Sequence, residues 1–255
     1  MITDPIFYAL AIPAVIILGL AKGGFAGVGV IAVPLMALSV SPVLAASITL
    51  PILIVQDVVS VWSFRRTWNR AILVLMLPSA AVGIFAGYAL AAFVKSGAVE
   101  LAIGIISIAF AAQRLWIERR GATVAEPRPE GLPWRGVLAG AAAGFTSQIS
   151  HAGGPPFQMY VLPKRLERDA FIGTSALFFA AVNWMKVPAY LALGQFTRQS
   201  LTTAAVLLPL AIGSTWAGVW LVRRVPADRF YRIIYGLLIF VGAKLAWDGA
   251  ASLIG

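Results

Sequence analysis

The residues at 21–29 read Ala-Lys-Gly-Gly-Phe-Ala-Gly-Val-Gly, and those at 148–156 read Gln-Ile-Ser-His-Ala-Gly-Gly-Pro-Pro. Each stretch interrupts an otherwise apolar segment near the start of one half of the chain. Glycine tolerates backbone conformations that break a helix, and proline suits the first turn of a new helix. The two stretches therefore predict two broken helical hairpins. Their expected arms are at 6–20 and 30–38 in the first hairpin and at 134–143 and 156–162 in the second.

The composition indicates a membrane protein. The chain is 60% hydrophobic and only 12% charged, whereas soluble domains carry about 25% charged residues. Apolar runs of roughly twenty residues, long enough to cross a bilayer core, alternate with short polar segments. We expect an all-α polytopic membrane protein whose clearest apolar runs are 48–63, 71–94, 99–117, 170–193, 201–222 and 233–253.

Several other functions are disfavoured by the same sequence. The net charge of +10 does not indicate nucleic-acid binding, because the basic residues lie between the apolar runs rather than on one amphipathic face. One histidine and no cysteine offer no metal-binding cluster. No cofactor-binding motif or catalytic constellation stands out, so we expect neither an enzyme nor a cofactor.

An internal repeat is predicted on either side of a polar linker. Each half has a glycine-rich stretch, then an apolar helix that begins with small and hydroxyl residues, then a helix with Leu-Pro and a later glycine. The Leu-Pro pairs are at 77–78 and 208–209, and the later glycines are Gly87 and Gly218. The sequence thus divides into a first transmembrane repeat at 1–117, a linker at 118–134 and a second transmembrane repeat at 135–255.

The loop charges predict opposite orientations for the two halves. In the first half the basic loop, with Arg65, Arg66 and Arg70, follows the second element, whereas in the second half basic loops follow the first and third elements. Basic loops stay in the cytoplasm. In a bacterial inner membrane this rule places the linker inside and both termini in the periplasm. Each broken hairpin then enters and leaves on one side, as a re-entrant element beside six full helices.

Inverted repeats with broken helices bind their substrates near the membrane midplane, between the repeats. Unpaired amide hydrogens at a helix start favour an anion there. We therefore predict an anion site at the two breaks and on the helices that follow them, although close helix packing is an alternative role for the glycines. The candidate substrate-binding residues are Lys22, Gly23, Gly24, Gly27, Gln56, Gln148, His151, Gly153, Gly154 and Asn183.

Charged residues within apolar runs are costly and are therefore functional candidates. Lys22 either supplies positive charge to the anion or reaches toward water. His151 either donates to substrate or carries a proton, unless it is a hydrogen-bonded structural residue. Asp57 and Lys186, on the repeat-related second helices, either form a buried pair or let Asp57 bind the coupling ion.

The glycine-rich motifs resemble the TauE/SafE sulfite exporter family over nearly the whole chain. The residues that carry the likeness are Lys22-Gly23-Gly24 through Pro34-Leu35 and Gly153-Gly154-Pro155, in a four-plus-four layout. The resemblance implies a secondary transporter of a small sulfur-containing anion, such as sulfite or an organosulfonate. It would work by alternating access with an ion gradient of protons or sodium, and its site would lie at 22–29 and 148–156.

Two other functions stay open at this point: a passive anion channel, and a scaffold or assembly factor for a membrane complex. The expected partners are the lipid bilayer and the small anion. The sequence also allows an oligomer.

The predicted orientation is testable with tags. Tags placed at either end of the chain should be reached by membrane-impermeant reagents from the periplasm, because every basic loop is expected inside. A tag that is labelled only after the inner membrane is opened would reverse this assignment.

Overall fold

The chain forms a bundle of helices. The computed structural model describes residues 1–25, 27–91, 93, 96–119, 133–164, 166–222, 224 and 228–254, and all regular secondary structure in these residues is helical. Two 3-10 segments, Val28–Ile31 and Leu162–Lys164, extend short helices. The α-helices are α1 Pro5–Gly23, α2 Ala32–Met36, α3 Pro42–Phe64, α4 Arg70–Ala91, α5 Ser96–Arg119, α6 Pro133–Ser150, α7 Gly154–Val161, α8 Arg168–Ala192, α9 Arg198–Leu221 and α10 Asp228–Ile254.

Polar capping residues fix where the long helices start. The Asp4 side chain accepts a hydrogen bond from the backbone N–H of Ile6 at 2.8 Å. Ser41 does the same for the N–H of Leu44 at 3.3 Å. A proline follows each cap, at a position where a missing N–H costs nothing.

The long helices confirm a polytopic membrane protein. By length and composition, α1, α3, α4, α8 and α9 are each apolar enough to cross a membrane. Two further helices, α5 and α10, have 24 and 27 residues. A span needs about 20 apolar residues, so the chain has several spans. Most of the predicted linker, residues 120–132, lies outside the described residues, and the division into domains stays a prediction.

Both predicted hairpins exist, but their arms are unequal. In the first, α1 has 19 residues and is followed by a break and the short α2. In the second, α6 has 18 residues and α7 has eight. The prediction that the second hairpin's first arm ends at 143 was wrong, because α6 continues to Ser150. Gly144 does not break this helix but lets it pack closely on α4.

Left-handed backbone marks the two breaks. Gly24 and Gly27 have φ angles of +137° and +96°, and His151 has a φ angle of +54°. The first two conformations suit glycine, which has no Cβ to clash. His151 is the non-glycine residue with positive φ in the described part of the chain, and it holds this conformation where α6 ends.

Each hairpin packs on the other half of the chain. The first hairpin's long arm, α1, packs on α9, while the second hairpin's long arm, α6, packs on α4. Two further contacts join equivalent helices, α3 with α8 and α5 with α10, and α3 also packs on α9 as α8 packs on α4. This exchange of partners is what a two-fold relation between the halves would give. The inverted orientation of the halves stays a prediction.

Small residues let these helices approach until their backbones touch. A Cβ at Gly144 would lie 2.0 Å from the Ala80 carbonyl oxygen, and one at Gly83 would lie 1.9 Å from the Ala141 carbonyl oxygen. On the other side, a Cβ at Gly23 would lie 2.4 Å from the backbone of Gly218. Small residues at such contacts are the usual means of close helix association in membranes.

The glycine contacts predict different effects of adding one methyl group. Gly144→Ala should lower the thermal unfolding midpoint in detergent, because the methyl overlaps α4 backbone and overpacking costs about 1–3 kcal/mol. Gly213→Ala is the control, since its Cβ would meet nothing within 4 Å and alanine favours a helix by about 1 kcal/mol. Equal midpoints for the two variants would contradict this account of the packing.

Candidate functional site

A cavity of about 100 Å³ lies between the two breaks. It is bounded by the end of α1 and the first break, by the end of α6 and the start of α7, and by the facing sides of α3 and α8. The two breaks approach each other through α7, because the Gln158 side chain lies against Gly27 of the first break. Both glycine-rich stretches therefore contribute to one site.

A buried charged network lies on the first side of this cavity. Lys22, which lines the cavity, forms an ion pair with Oδ1 of Asp57. The second carboxylate oxygen, Oδ2, accepts a hydrogen bond from Asn183 Nδ2 at 2.6 Å. Asp57 is 2% exposed. One carboxylate thus links α1, α3 and α8, and its ion partner is Lys22 rather than Lys186.

A second lysine is buried on the other side of the cavity. Lys186 is fully buried, and its Nζ donates to Ser147 Oγ at 3.1 Å, to the Ser147 carbonyl at 3.3 Å and to His151 Nδ1 at 2.5 Å. Three acceptors match the three N–H donors of an ammonium group. All three acceptors are neutral groups.

The hydrogen bonds of His151 define its protonation state. Its Nε2 lies 3.0 Å from the Ala46 carbonyl oxygen, and a carbonyl oxygen only accepts, so Nε2 carries the hydrogen. Nδ1 then has the lone pair that receives the Lys186 hydrogen bond. His151 is therefore a neutral imidazole whose two nitrogens connect α3 to α8.

The predicted glycines have two different roles, lining the cavity or allowing close helix packing. Gly24, Gly27 and Gly154 line the cavity. Gly23 and Gly153 instead serve packing, since a Cβ on Gly153 would lie 2.7 Å from the Ala143 carbonyl oxygen.

Two glutamines among the candidates are buried beside the site rather than in its lining. Gln56 donates to the Ala211 carbonyl oxygen at 3.4 Å. Gln148 lies against Gly87. Among the described residues, neither Gln56 Oε1 nor Gln148 Oε1 has a hydrogen-bond partner.

The backbone amides at the ends of the two long arms are already bonded. The N–H groups of Gly24 and Phe25 donate to carbonyls at the end of α1, and those of His151 and Ala152 donate to carbonyls of α6. These bonds satisfy helix ends that would otherwise lack partners. These four amides are therefore used within the fold, whereas Lys22 and Asn183 bring side-chain donors to the cavity.

Several lining residues escape the sequence analysis. Ser60 donates to the Lys22 carbonyl oxygen at 2.7 Å, which fixes the end of α1 on α3. Gln158, Ser175 and Phe179 also line the cavity. Gln158 could have been selected from the sequence, because it is a polar residue in the short arm of the second hairpin. Nothing in the local sequence distinguishes Phe179 from the other aromatic residues of the bundle.

The chain matches a known protein family over most of its length. Residues 11–245 match the family model described as "Sulfite exporter TauE/SafE". The chain belongs to this family. No curated protein and no solved structure matches it. The match includes α1 from residue 11 onward, the rest of both hairpins and the whole cavity, so the resemblance expected from the glycine-rich motifs is confirmed.

Membership in the TauE/SafE family makes the chain a multi-pass membrane protein of a transporter family. The antiparallel pair α3 and α8 carries an apolar cluster at each end. At the face where α3 begins, Ala46, Leu50 and Tyr190 are buried together. At the face where α3 ends, Phe64 and Ile172 pack with neighbouring residues. The TauE/SafE cavity thus lies at an intermediate depth between two apolar clusters.

The ion pair at this site predicts a stability difference. Lys22→Met should lower the unfolding midpoint markedly, because it leaves Asp57 buried without its cation, a change that costs about 3–5 kcal/mol in buried pairs. Lys22→Met combined with Asp57→Asn should recover much of the loss. Identical midpoints for the single and double variants would contradict the pairing.

Proposed function

We propose that the chain is a secondary transporter of a small sulfur-containing oxyanion, sulfite or an organosulfonate. It moves the anion by alternating access with an ion gradient, in a bacterial inner membrane with both termini in the periplasm. The observation that carries this proposal is the Lys22 side chain, which lines the cavity together with Asn183. Lys22 pairs with the buried carboxylate of Asp57, and a second lysine, Lys186, is buried among neutral acceptors.

Charge favours an anion over a cation or a neutral solute. A buried cation is costly without a counter-ion, so the Lys22 ammonium in the cavity wall favours a negative solute. An anion in the cavity would pair with Lys22 and accept a hydrogen bond from Asn183, which both line the cavity. Hydrogen bonds between charged groups are about twice as strong as neutral ones.

Size favours a small anion. The cavity has about 100 Å³, whereas an apolar protein cavity of about 150 Å³ binds benzene. A solute of a few heavy atoms fits this space, and sulfite has four. Larger sulfonates would require the hairpin tips to separate.

The helix packing supports alternating access. The cavity lies between apolar clusters at the two ends of the α3–α8 pair, and in an alternating-access cycle these clusters would separate one at a time. Each hairpin packs on a helix of the other half. A rocking motion of the halves would therefore move both hairpin tips together around the site.

Exchange across a liposome membrane tests the function. Purified protein in liposomes loaded with unlabelled sulfite should take up external [³⁵S]sulfite faster than protein-free liposomes. Thiosulfate, methanesulfonate and acetate should be compared as competitors. For a carrier, the rate of exchange should saturate with substrate concentration, and an imposed ion gradient should drive the substrate uphill. A passive channel cannot accumulate the substrate. A scaffold or assembly factor would move nothing.

Lys22 is the residue whose loss we expect to weaken binding most directly. Lys22→Ala should raise the dissociation constant for the transported anion at least tenfold, about 1.4 kcal/mol, measured by thermal shift or equilibrium binding. Arg198→Gln is the control, because it removes one exposed positive charge at the start of α9. Unchanged affinity in Lys22→Ala would exclude Lys22 from the site.

A further inference from the structure

Asp57 has an environment unlike that of a simple structural acid. Of the acidic side chains whose burial the structure describes, Asp57 is the buried one. Its two oxygens are both occupied, one by the Lys22 ammonium and the other by the Asn183 amide. The cation it neutralises lines the cavity. The same ammonium therefore serves either Asp57 or a bound anion.

We propose that Asp57 carries the coupling ion and that this ion is a proton. Protonation of Asp57 releases Lys22 to the substrate, so that anion and proton bind together. This inference rests on the transport function proposed above and adds the coupling ion and its residue.

The surroundings of Asp57 disfavour sodium. Hard metal cations are held by several oxygen ligands at once, but the atoms nearest the Asp57 carboxylate are nitrogen donors. The Lys22 ammonium, which is paired with this carboxylate, would also repel a metal cation. A proton needs one carboxylate oxygen and no coordination shell.

The binding step balances without any covalent change in the substrate. A proton from water binds Asp57 Oδ1 and converts the carboxylate to a neutral acid, which ends its ion pair with Lys22. The Lys22 ammonium then pairs with an oxygen of the anion in the cavity. On release at the other face, the anion leaves, the proton returns to water and the Lys22–Asp57 pair forms again.

The buried charge stays constant in this cycle. A proton and a monoanion together add nothing, so the empty and loaded carriers reorient with the same buried charge. An anion that bound beside an ionised Asp57 would instead meet a carboxylate competing for the same ammonium.

The other titratable groups near Asp57 are less suited to this role. His151 already uses both ring nitrogens, one toward Lys186 and one toward the Ala46 carbonyl oxygen. A proton on Nδ1 would face the Lys186 ammonium directly. Lys22 and Lys186 are the cations that respond to the change, and Arg198, the titratable residue of α9, is exposed at the start of that helix.

A gradient experiment on the full-length protein tests the proposal. The probe is radiolabelled methanesulfonate, the monoanion of a strong acid, because no neutral form of it crosses lipid unaided. With one proton per monoanion, a pH difference of one unit should drive about tenfold accumulation in the alkaline compartment. A sodium gradient at equal pH should drive none. Accumulation that follows sodium and ignores pH would overturn the proposal without any variant being made.

Two variants locate the proton. Asp57→Asn lacks the titratable group, so we expect it to lose pH-driven accumulation, and we expect any exchange that it supports to be independent of pH. Asp57→Glu keeps a titratable group and should keep the accumulation. Accumulation by Asp57→Asn equal to wild type would overturn the role of Asp57.

The outcomes distinguish failure of the coupling proposal from failure of the proposed transport function. If the wild-type protein exchanges no sulfur oxyanion, the proposed function fails and the coupling proposal falls with it. If exchange occurs but pH does not drive accumulation, only the coupling proposal fails. If methanesulfonate does not exchange while sulfite does, the initial rate of sulfite entry under a pH gradient is compared between wild type and Asp57→Asn. Equal rates would then overturn the proposal.

Discussion

The structure depends on one carboxylate shared between elements that are far apart in the sequence. Asp57 receives Lys22 from the end of the first long arm and Asn183 from the middle of α8. Removing any partner leaves a buried polar group unsatisfied, which is costly in a region without water. This carboxylate therefore fixes the position of α1 relative to the α3–α8 pair, and with it one wall of the cavity. The opposite wall is fixed by Lys186 and His151.

The Asp57 carboxylate can fix the position of these helices only because the helix backbones around it pack closely. Glycine contacts between α1 and α9 and between α6 and α4 leave no space for a side chain at the crossing points. Rigid crossings hold both hairpins at a defined depth, and the left-handed residues then turn the chain back. Packing thus sets the distances across which the charged groups meet, and the charged groups determine what the cavity attracts.

The sequence predicts the parts of this arrangement that depend on local chemistry. Composition and apolar runs predict the membrane helices, and the glycine-rich stretches predict both breaks. Lys22 and His151 are candidates from position alone. The pairing of Asp57 with Lys22 is not predictable this way, because it depends on how α1 rotates against α3. The length of α6 was missed for a similar reason: Gly144 can break a helix or let one pack, and only its neighbour Ala80 decides which.

The exchanged packing of the hairpins also constrains how the protein is made. During synthesis α1 leaves the ribosome long before α9, so its glycine-lined face has no partner while the first half is inserted. The same holds for α4, which waits for α6. Neither half can complete its own core, and separately expressed fragments would have to find each other within the bilayer before either acquired a finished interior.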